Sequence, residues 1–391
     1  MSEWNDWLRA QDVAREQTAL ERSIAVTDDA PHPWAMRDGR RMLNLSSNNY
    51  LGLAEHPALR EAAASGAARG AGAGSSRLVA GSDTAYRALE EKLAAFKGTE
   101  RALVFGSGYL ANVGTLTSLL DRSCGVVSDS LNHASIIDGV RLSRATVYRY
   151  HHADVYDLEA QLRAASSAGH ERVLIVTDSV FSMDGDVAPL ADIIALKHAH
   201  GAALMIDEAH GTGVFGPNGA GYAHDLGVDE HVDIHLGTFS RAFGAYGGYV
   251  AASDSWIRQL VNTSRTLTYS TGLPPALIET IDVALDLVAA SHPQRAALRS
   301  KADRFRATLQ TAQLDTGLSS TQIIPLLVGG SDRTLRLAER LRTRGLLAHA
   351  IRPPTVAEGT ARIRFSLLAS HSDESLAEAA RAIIEEAESL D

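Results

Sequence analysis

The stretch Ala203-Leu204-Met205-Ile206-Asp207-Glu208-Ala209-His210-Gly211-Thr212-Gly213 decides how this chain reads. A short apolar run stops at two carboxylates, then a histidine, then a glycine-rich turn. Outward from it, the same form recurs in Ala102-Leu103-Val104-Phe105, Gly125-Val126-Val127-Ser128, Ala145-Thr146-Val147-Tyr148, Val173-Leu174-Ile175-Val176 and Val232-Asp233-Ile234-His235-Leu236. Helical spacing fills most of the gaps, as over 155–168 and 188–200, the latter with Pro189 suited to a first helical turn. Near-continuous apolar strands alternating with helices predict an α/β fold with a mainly parallel sheet covered on both faces. Ligands of such sheets bind beyond the carboxyl ends of the strands, so the loops after each run are where chemistry is expected.

The flanks differ in texture. Residues 4–22 (Trp4, Trp7, Leu8, Val13, Leu20) predict an amphipathic helix, and 28–41, with Pro31, Pro33 and Gly39, a loop or short hairpin. A long helical region over 276–312 leads to strands near 322–328, 347–351 and 361–366 and helices near 332–344 and 373–389, an α+β module. The expected division is 1–45 as N-terminal helix and arm, 46–285 as a large domain and 286–391 as a small α+β domain.

The chain has 391 residues, 45% hydrophobic and 21% charged, as a soluble protein with a large core should. With 37 basic and 47 acidic residues it has a net charge of −10, and no basic footprint for nucleic acid is expected. No run approaches the ~20 apolar residues of a membrane span. The N-terminus lacks the basic start and apolar run of a secretory signal, so the cytoplasm is the expected location. Cys124, the single cysteine, forms neither an intramolecular disulfide nor a cysteine-rich metal site, and no metal site is expected. Only four of the basic residues are lysines, namely Lys92, Lys97, Lys197 and Lys301. Any chemistry that needs a lysine amine therefore has four candidates.

Each loop after an apolar run carries a signal. Gly106-Ser107-Gly108-Tyr109 enters a helix and is either a phosphate cradle or only a turn, and Tyr109 by itself reads as a packing aromatic before a ligand contact. His133, past the second run, reads as a stacking or acid/base group, or equally as a structural histidine. The loop 178–186 lacks the spacing of a calcium loop and reads as a turn. Asp-Glu-Ala-His resembles the magnesium box of a helicase, but that machine needs a GxxxxGK[ST] loop and this chain has no Gly-Lys dipeptide. The other reading of Asp207 is a buried carboxylate that keeps a pyridinium nitrogen protonated, with His210 aimed into the same pocket. Gly237-Thr238-Phe239-Ser240-Arg241-Ala242-Phe243-Gly244 has the form of a pyridoxal phosphate attachment loop.

Taken in order, these loops resemble the α-oxoamine synthases, within the fold-type-I pyridoxal phosphate enzymes. The resemblance runs from Leu43-Asn44-Leu45-Ser46-Ser47-Asn48-Asn49-Tyr50 through Gly70–Leu78 to Ala350–Arg364. Its last segment is most similar to the biotin-pathway members, which join L-alanine to a pimeloyl thioester with loss of carbon dioxide. The resemblance implies a seven-stranded, mainly parallel sheet in the large domain, pyridoxal 5'-phosphate as cofactor, amino-acid and acyl-CoA substrates, and a cytoplasmic homodimer with shared sites. It also implies roles. Gly108, Tyr109 and Thr238 would hold the phosphate, and Thr271 would reach the phosphate of a neighbouring subunit. His133 would stack on the ring, Ser182 and His210 would contact its side, and Asp207 would pair with its nitrogen. Arg364 would bind the amino-acid carboxylate, although a solvated strand arginine would look the same in sequence. Arg22, Arg352 and Thr355 would contact the acyl substrate.

One position departs. The family places a lysine where this chain has Arg241. A neutral lysine amine can bond to an aldehyde and later take a proton from the substrate α-carbon. Arginine stays protonated and offers no lone pair. None of the four lysines falls in a matched loop, so low or absent activity is expected for the chain as it stands. Alternatives are another acyl-CoA or amino acid for the same reaction class, or a non-catalytic cofactor-binding homologue.

Overall fold

In chain order the strands are β1 (Trp34–Arg37), β2 (Arg40–Asn44), β3 (Arg101–Phe105), β4 (Cys124–Asp129), β5 (Thr146–Tyr150), β6 (Arg172–Asp178), β7 (Ala203–Asp207), β8 (Ile234–Thr238), β9 (Gly248–Ala252), β10 (Ile323–Gly329), β11 (Leu346–Leu347), β12 (His349–Ile351) and β13 (Ala361–Ser366). They come from a computed structural model that describes residues 2–18, 20–22, 24, 26–28 and 32–390. The chain divides into two units. The larger comprises Asn48–Ser182 and Asp186–Ala297, and the smaller the described residues up to Ser47, Met183–Gly185 and those from Leu298 onward.

The larger unit is built on a seven-stranded sheet of order β3-β9-β8-β7-β6-β4-β5. Five strands, β8 through β5 in that order, run parallel, and β9 lies antiparallel between β3 and β8. Burial on both faces explains why these strands read as unbroken apolar runs. Along β6, Leu174 and Val176 join one core layer and Ile175 the other; along β7, Met205 joins the first and Leu204 and Ile206 the second. Side chains that alternate between two dry faces must all be apolar. Strand β9 is the strand of this sheet that sequence reading missed, because its first residue, Gly248, belongs to what looks like a glycine-rich turn.

Polar residues at the strand ends start the covering helices. Ser107 caps Gly108–Leu119 by accepting from the Leu110 N–H, His133 caps Ala134–Ser143 through Nδ1, and Asp154 caps Val155–Ser167. Pro189 is the N-cap residue of Leu190–His200, so that helix starts one position later than Pro189 as first helical residue implies. The long helical region is broken at Ser291 into Pro275–Ala290 and His292–Thr311, and the boundary between the units lies inside the second.

The smaller unit holds two three-stranded sheets, β1-β2-β11 and β10-β13-β12. The hairpin β1–β2 appears where the proline- and glycine-containing segment was read, and the strand expected near 347–351 is split between the two sheets. The N-terminal helix spans Glu3–Gln17, shorter than expected, and buries none of its residues.

Candidate active site

A cavity of about 150 Å³ opens at the carboxyl edge of the large sheet. Its walls include Gly108, Tyr109, His133, Ser182, Asp207, His210, Thr238 and Arg241, eight residues singled out from five separate loops. The parallel strands explain the convergence, since each loop leaves the sheet on the same edge.

One end is a cradle of donors. Ser107 spends its side chain on Leu110, which leaves the Gly108 and Tyr109 N–H groups at the start of the helix without an intrahelical acceptor. Thr238 Oγ1 donates to the Gly247 carbonyl at 2.7 Å and lies 2.8 Å from Ser240 Oγ. A Cβ built on Gly108 would sit 3.3 Å from Thr238 Cβ, so the helix start and Thr238 close on the same end. Backbone N–H groups, hydroxyls and a helix N-terminus together suit a phosphate. The Tyr109 ring itself is exposed and donates its hydroxyl to Asp138.

The other end is acidic and buried. Asp207 Oδ1 accepts from the Ala209 N–H at 2.9 Å, and Oδ2 accepts from Asn112 Nδ2 at 2.7 Å. Strand register places Asp178 directly beside Asp207. Asp178 accepts from the His133 N–H at 2.9 Å. Burial pushes the Asp178 carboxyl well above the usual range, and the charge of Asp207 adds to this, while the His133 N–H and Arg241 oppose it. Two adjacent buried carboxyls cannot both ionise without penalty, which is how the Asp207 charge adds to the upward push on Asp178. Burial, the largest influence, pushes His133 down; the Asp207 charge opposes this and Arg241 adds to it, and the net direction favours a neutral imidazole suited to stacking. The Nδ1 of the buried His210 lies 2.6 Å from the Tyr50 hydroxyl.

The remaining singled-out residues lie elsewhere. Thr271 is not in the cavity wall and pairs through a single β-bridge with Ser76. In the smaller unit, Arg22 Nη2 donates to Thr355 Oγ1 at 3.3 Å, and Arg352 Nη2 donates to the Glu21 carbonyl at 3.1 Å. These three acyl-contact candidates therefore form one cluster. Arg364, on β13, is buried and donates to Ser366 Oγ at 2.8 Å, which removes the solvated reading.

The aminotransferase class I and II family model matches residues 40–383. An 8-amino-7-oxononanoate synthase of Citrifermentans bemidjiense is 47% identical over 365 residues, covering 92% of this chain and 93% of that one. Its counterpart from Geobacter sulfurreducens is 47% identical over 374 residues, 94% of each chain. The chain belongs to the 8-amino-7-oxononanoate synthase family. Among solved structures, a Sphingomonas wittichii serine palmitoyltransferase superposes with a TM-score of 0.92 at 30% identity, covering 99% of this chain and 98% of that one. An SPT chain with a PLP internal aldimine gives 0.92 at 27%, with 98% of each covered. An 8-amino-7-oxononanoate synthase from Francisella tularensis shares the fold, with a TM-score of 0.78 at 24% identity over 89% of this chain and 98% of that one.

For a member of the 8-amino-7-oxononanoate synthase family, the donor set fits a phosphorylated pyridine. An amine for covalent attachment is what the cavity lacks. Arg241 stands in its wall, its guanidinium forms no hydrogen bond or ion pair among the described residues, and it acts by its charge on His133 and Asp178. All four lysines are held elsewhere. Lys97 is paired with Glu208 and the Ala220 carbonyl, Lys197 with Asp233 at 2.7 Å, and Lys92 with Asp286 at 2.8 Å. Lys301 donates to the Ala369 and His371 carbonyls at 2.7 and 2.6 Å.

Sequence reading missed Asn112, Ser135, Asp178 and Ser240, which also line the cavity. Asn112 lies one helical turn after Gly108, a spacing that returns it to the same face and was available as a signal. Asp178 is the last residue of β6, the position that marks Asp207 on β7.

Proposed function

We propose that this chain is an 8-amino-7-oxononanoate synthase scaffold, for decarboxylative condensation of L-alanine with pimeloyl-CoA or another pimeloyl thioester, in which Arg241 suppresses turnover. The observation that carries the reading is the cavity joining a helix-N-terminal cradle, a buried Asp207 and a neutral His133, in a chain 47% identical to proteins of that name. The cofactor that suits this donor set is pyridoxal 5'-phosphate.

Bound there, pyridoxal phosphate supplies an electron sink for the pair left on the amino-acid α-carbon. The residues do the rest. Gly108, Tyr109, Thr238 and Ser240 anchor the phosphate. Asp207 holds a proton at the ring nitrogen by a charge-assisted bond. His133 packs on the ring face, and Ser182 and His210 line its side. Arg364 takes the alanine carboxylate with its planar fork, and Arg22, Arg352 and Thr355 take the acyl partner. Residue 241 is where a base should remove the α-proton. A guanidinium keeps its proton and gives no lone pair, so that transfer is lost although the positive charge stays. The active form is a cytoplasmic homodimer. Thr271 lies close in sequence to the exposed Tyr269 and is bridged to Ser76, near the exposed Leu78 and Val79, an apolar surface that a second copy would cover.

The test is Arg241→Lys, with CoA release from pimeloyl-CoA and alanine as readout. The chain as it stands should turn over at the detection limit. The lysine form should gain at least about 10²-fold, the size of a general-base contribution, and a borohydride-fixed adduct at position 241. Robust turnover before the replacement overturns the role given to Arg241. An adduct without turnover favours a non-catalytic cofactor-binding protein, and turnover only with other acyl-CoAs moves the substrate.

A further inference from the structure

Asn112 is almost fully buried on the inner face of the helix Gly108–Leu119. Its Nδ2 gives one proton to Asp207 Oδ2 at 2.7 Å and the other to Ser135 Oγ at 2.9 Å. Ser135 Oγ lies 2.6 Å from His133 Nδ1, and the Ser135 N–H also points at Nδ1, at 3.3 Å. The direction of each bond follows from the next. An amide with both N–H groups used as donors makes Ser135 Oγ an acceptor, so the hydroxyl proton goes on to His133. A backbone N–H can only donate, so Nδ1 must be bare and the ring proton sits on Nε2. Reversing the Asn112 amide would set its oxygen against a carboxylate oxygen, which rules that orientation out.

Asn112 Oδ1 is buried and has no hydrogen-bond partner. The side chain is thus held for its two donors alone, at the expense of an unsatisfied acceptor. A residue kept only for packing would be apolar at this position.

We propose that Asn112 is a positioning residue that couples Asp207 to His133, fixing in one relation the carboxylate that meets the cofactor's ring nitrogen and the imidazole that lies on its face. The inference rests on the cofactor reading above only for what those two ends do. The chain Asp207–Asn112–Ser135–His133 orients the carboxylate through Oδ2 and, by the short hydroxyl bond at 2.6 Å that outweighs the longer Ser135 N–H contact at 3.3 Å, selects the Nε2–H tautomer of the histidine. Asp178 and Arg241, which line the same cavity, act on His133 by its main-chain N–H and by charge, and neither touches the Nδ1 link.

The experiment uses the full chain with ¹⁵N-labelled histidine and no cofactor. The His133 ring resonances are identified by their loss in His133→Gln, and pyridoxal phosphate affinity is measured separately by absorbance titration. In the native chain Nδ1 should resonate as unprotonated and Nε2 as protonated. Asn112→Leu should let the second tautomer appear and weaken pyridoxal phosphate binding about tenfold, the scale of one lost hydrogen bond to a charged group. Ser135→Ala cuts the chain one link later and should mix the tautomers with a smaller effect on affinity. A protonated Nδ1 in the native chain, or a folded Asn112→Leu with an unchanged tautomer, overturns the coupling. If Asn112→Leu does not fold, an unchanged tautomer in Ser135→Ala overturns it instead. Tautomers that behave as stated in a chain that binds no pyridoxal phosphate support the coupling and overturn the cofactor reading.

Discussion

His152 is held between two carboxylates. Its Nδ1 lies 3.1 Å from Asp129 Oδ1 and its Nε2 2.7 Å from Asp186 Oδ2, so both ring nitrogens donate. Burial, the largest influence, works to lower its pKa, but the bonds to Asp129 and Asp186 overrule it and raise the pKa to about 10. A histidine whose folded pKa exceeds its unfolded value stabilises the fold fully below pH ~6.5 and loses that contribution as pH rises toward the folded value. The contribution is on the order of a few kcal/mol. His152→Gln should therefore lower Tm strongly at pH 6, and the gap to the native chain should close by pH 10. Calorimetry at pH 6, 8 and 10 checks this, and a gap independent of pH contradicts it. The same clamp ties the β4 and β5 loops to the residue after Gly185, near the His133 turn, because Asp129 also accepts from the Leu131 and Ala153 N–H groups.

At the level of elements, the phosphate cradle depends on how closely β9 approaches the helix Gly108–Leu119. A Cβ on Gly248 would lie 2.5 Å from the Gly108 nitrogen and 2.6 Å from the Ser107 carbonyl oxygen, both backbone atoms that cannot rotate away. Gly248→Ala should thus push the helix start out of place. Overpacking of this kind destabilises by about 1–3 kcal/mol, and here the displaced atoms are those proposed to hold the phosphate. The expected result is a lower Tm together with weaker pyridoxal phosphate binding. A variant that loses Tm but binds as well as the native chain would show that the cradle is not the phosphate site. This close approach also explains the antiparallel strand that sequence reading passed over. Gly248 is in the strand because only glycine lets the strand touch the helix end.

At the scale of the whole molecule, the larger unit carries a buried ion pair that decides the fate of one of the four lysines. Lys97 and Glu208 are both shut off from solvent, and His235 lies 3.5 Å from the same Glu208 oxygen. Burial alone would raise the Glu208 pKa, but the Lys97 charge and the His235 contact hold it well below the usual carboxylate range. Removing one partner of such a pair leaves a buried charge, and the penalty is about 3–5 kcal/mol. Lys97→Met should show that loss in urea denaturation. Its pyridoxal phosphate affinity should be unchanged, because Lys97 is outside the cavity. A borohydride adduct that forms in the native chain and vanishes in Lys97→Met would make Lys97 the missing amine.

Much of this protein is determined locally. Every residue proposed to face the ring or phosphate lies at, or within four residues after, the carboxyl end of a strand, so its place at the sheet edge is written in the few residues before it. The chemistry of position 241 is equally local, since a guanidinium lacks a lone pair in any fold. Strand order and helix rotation are not local. That Asp178 lies beside Asp207, that Asn112 reaches across to both Asp207 and Ser135, and that Lys97 is committed to Glu208 follow from which strands pair and which helix face turns inward. Those choices are set by packing between segments as much as 111 residues apart, and no pattern within a single loop can carry them.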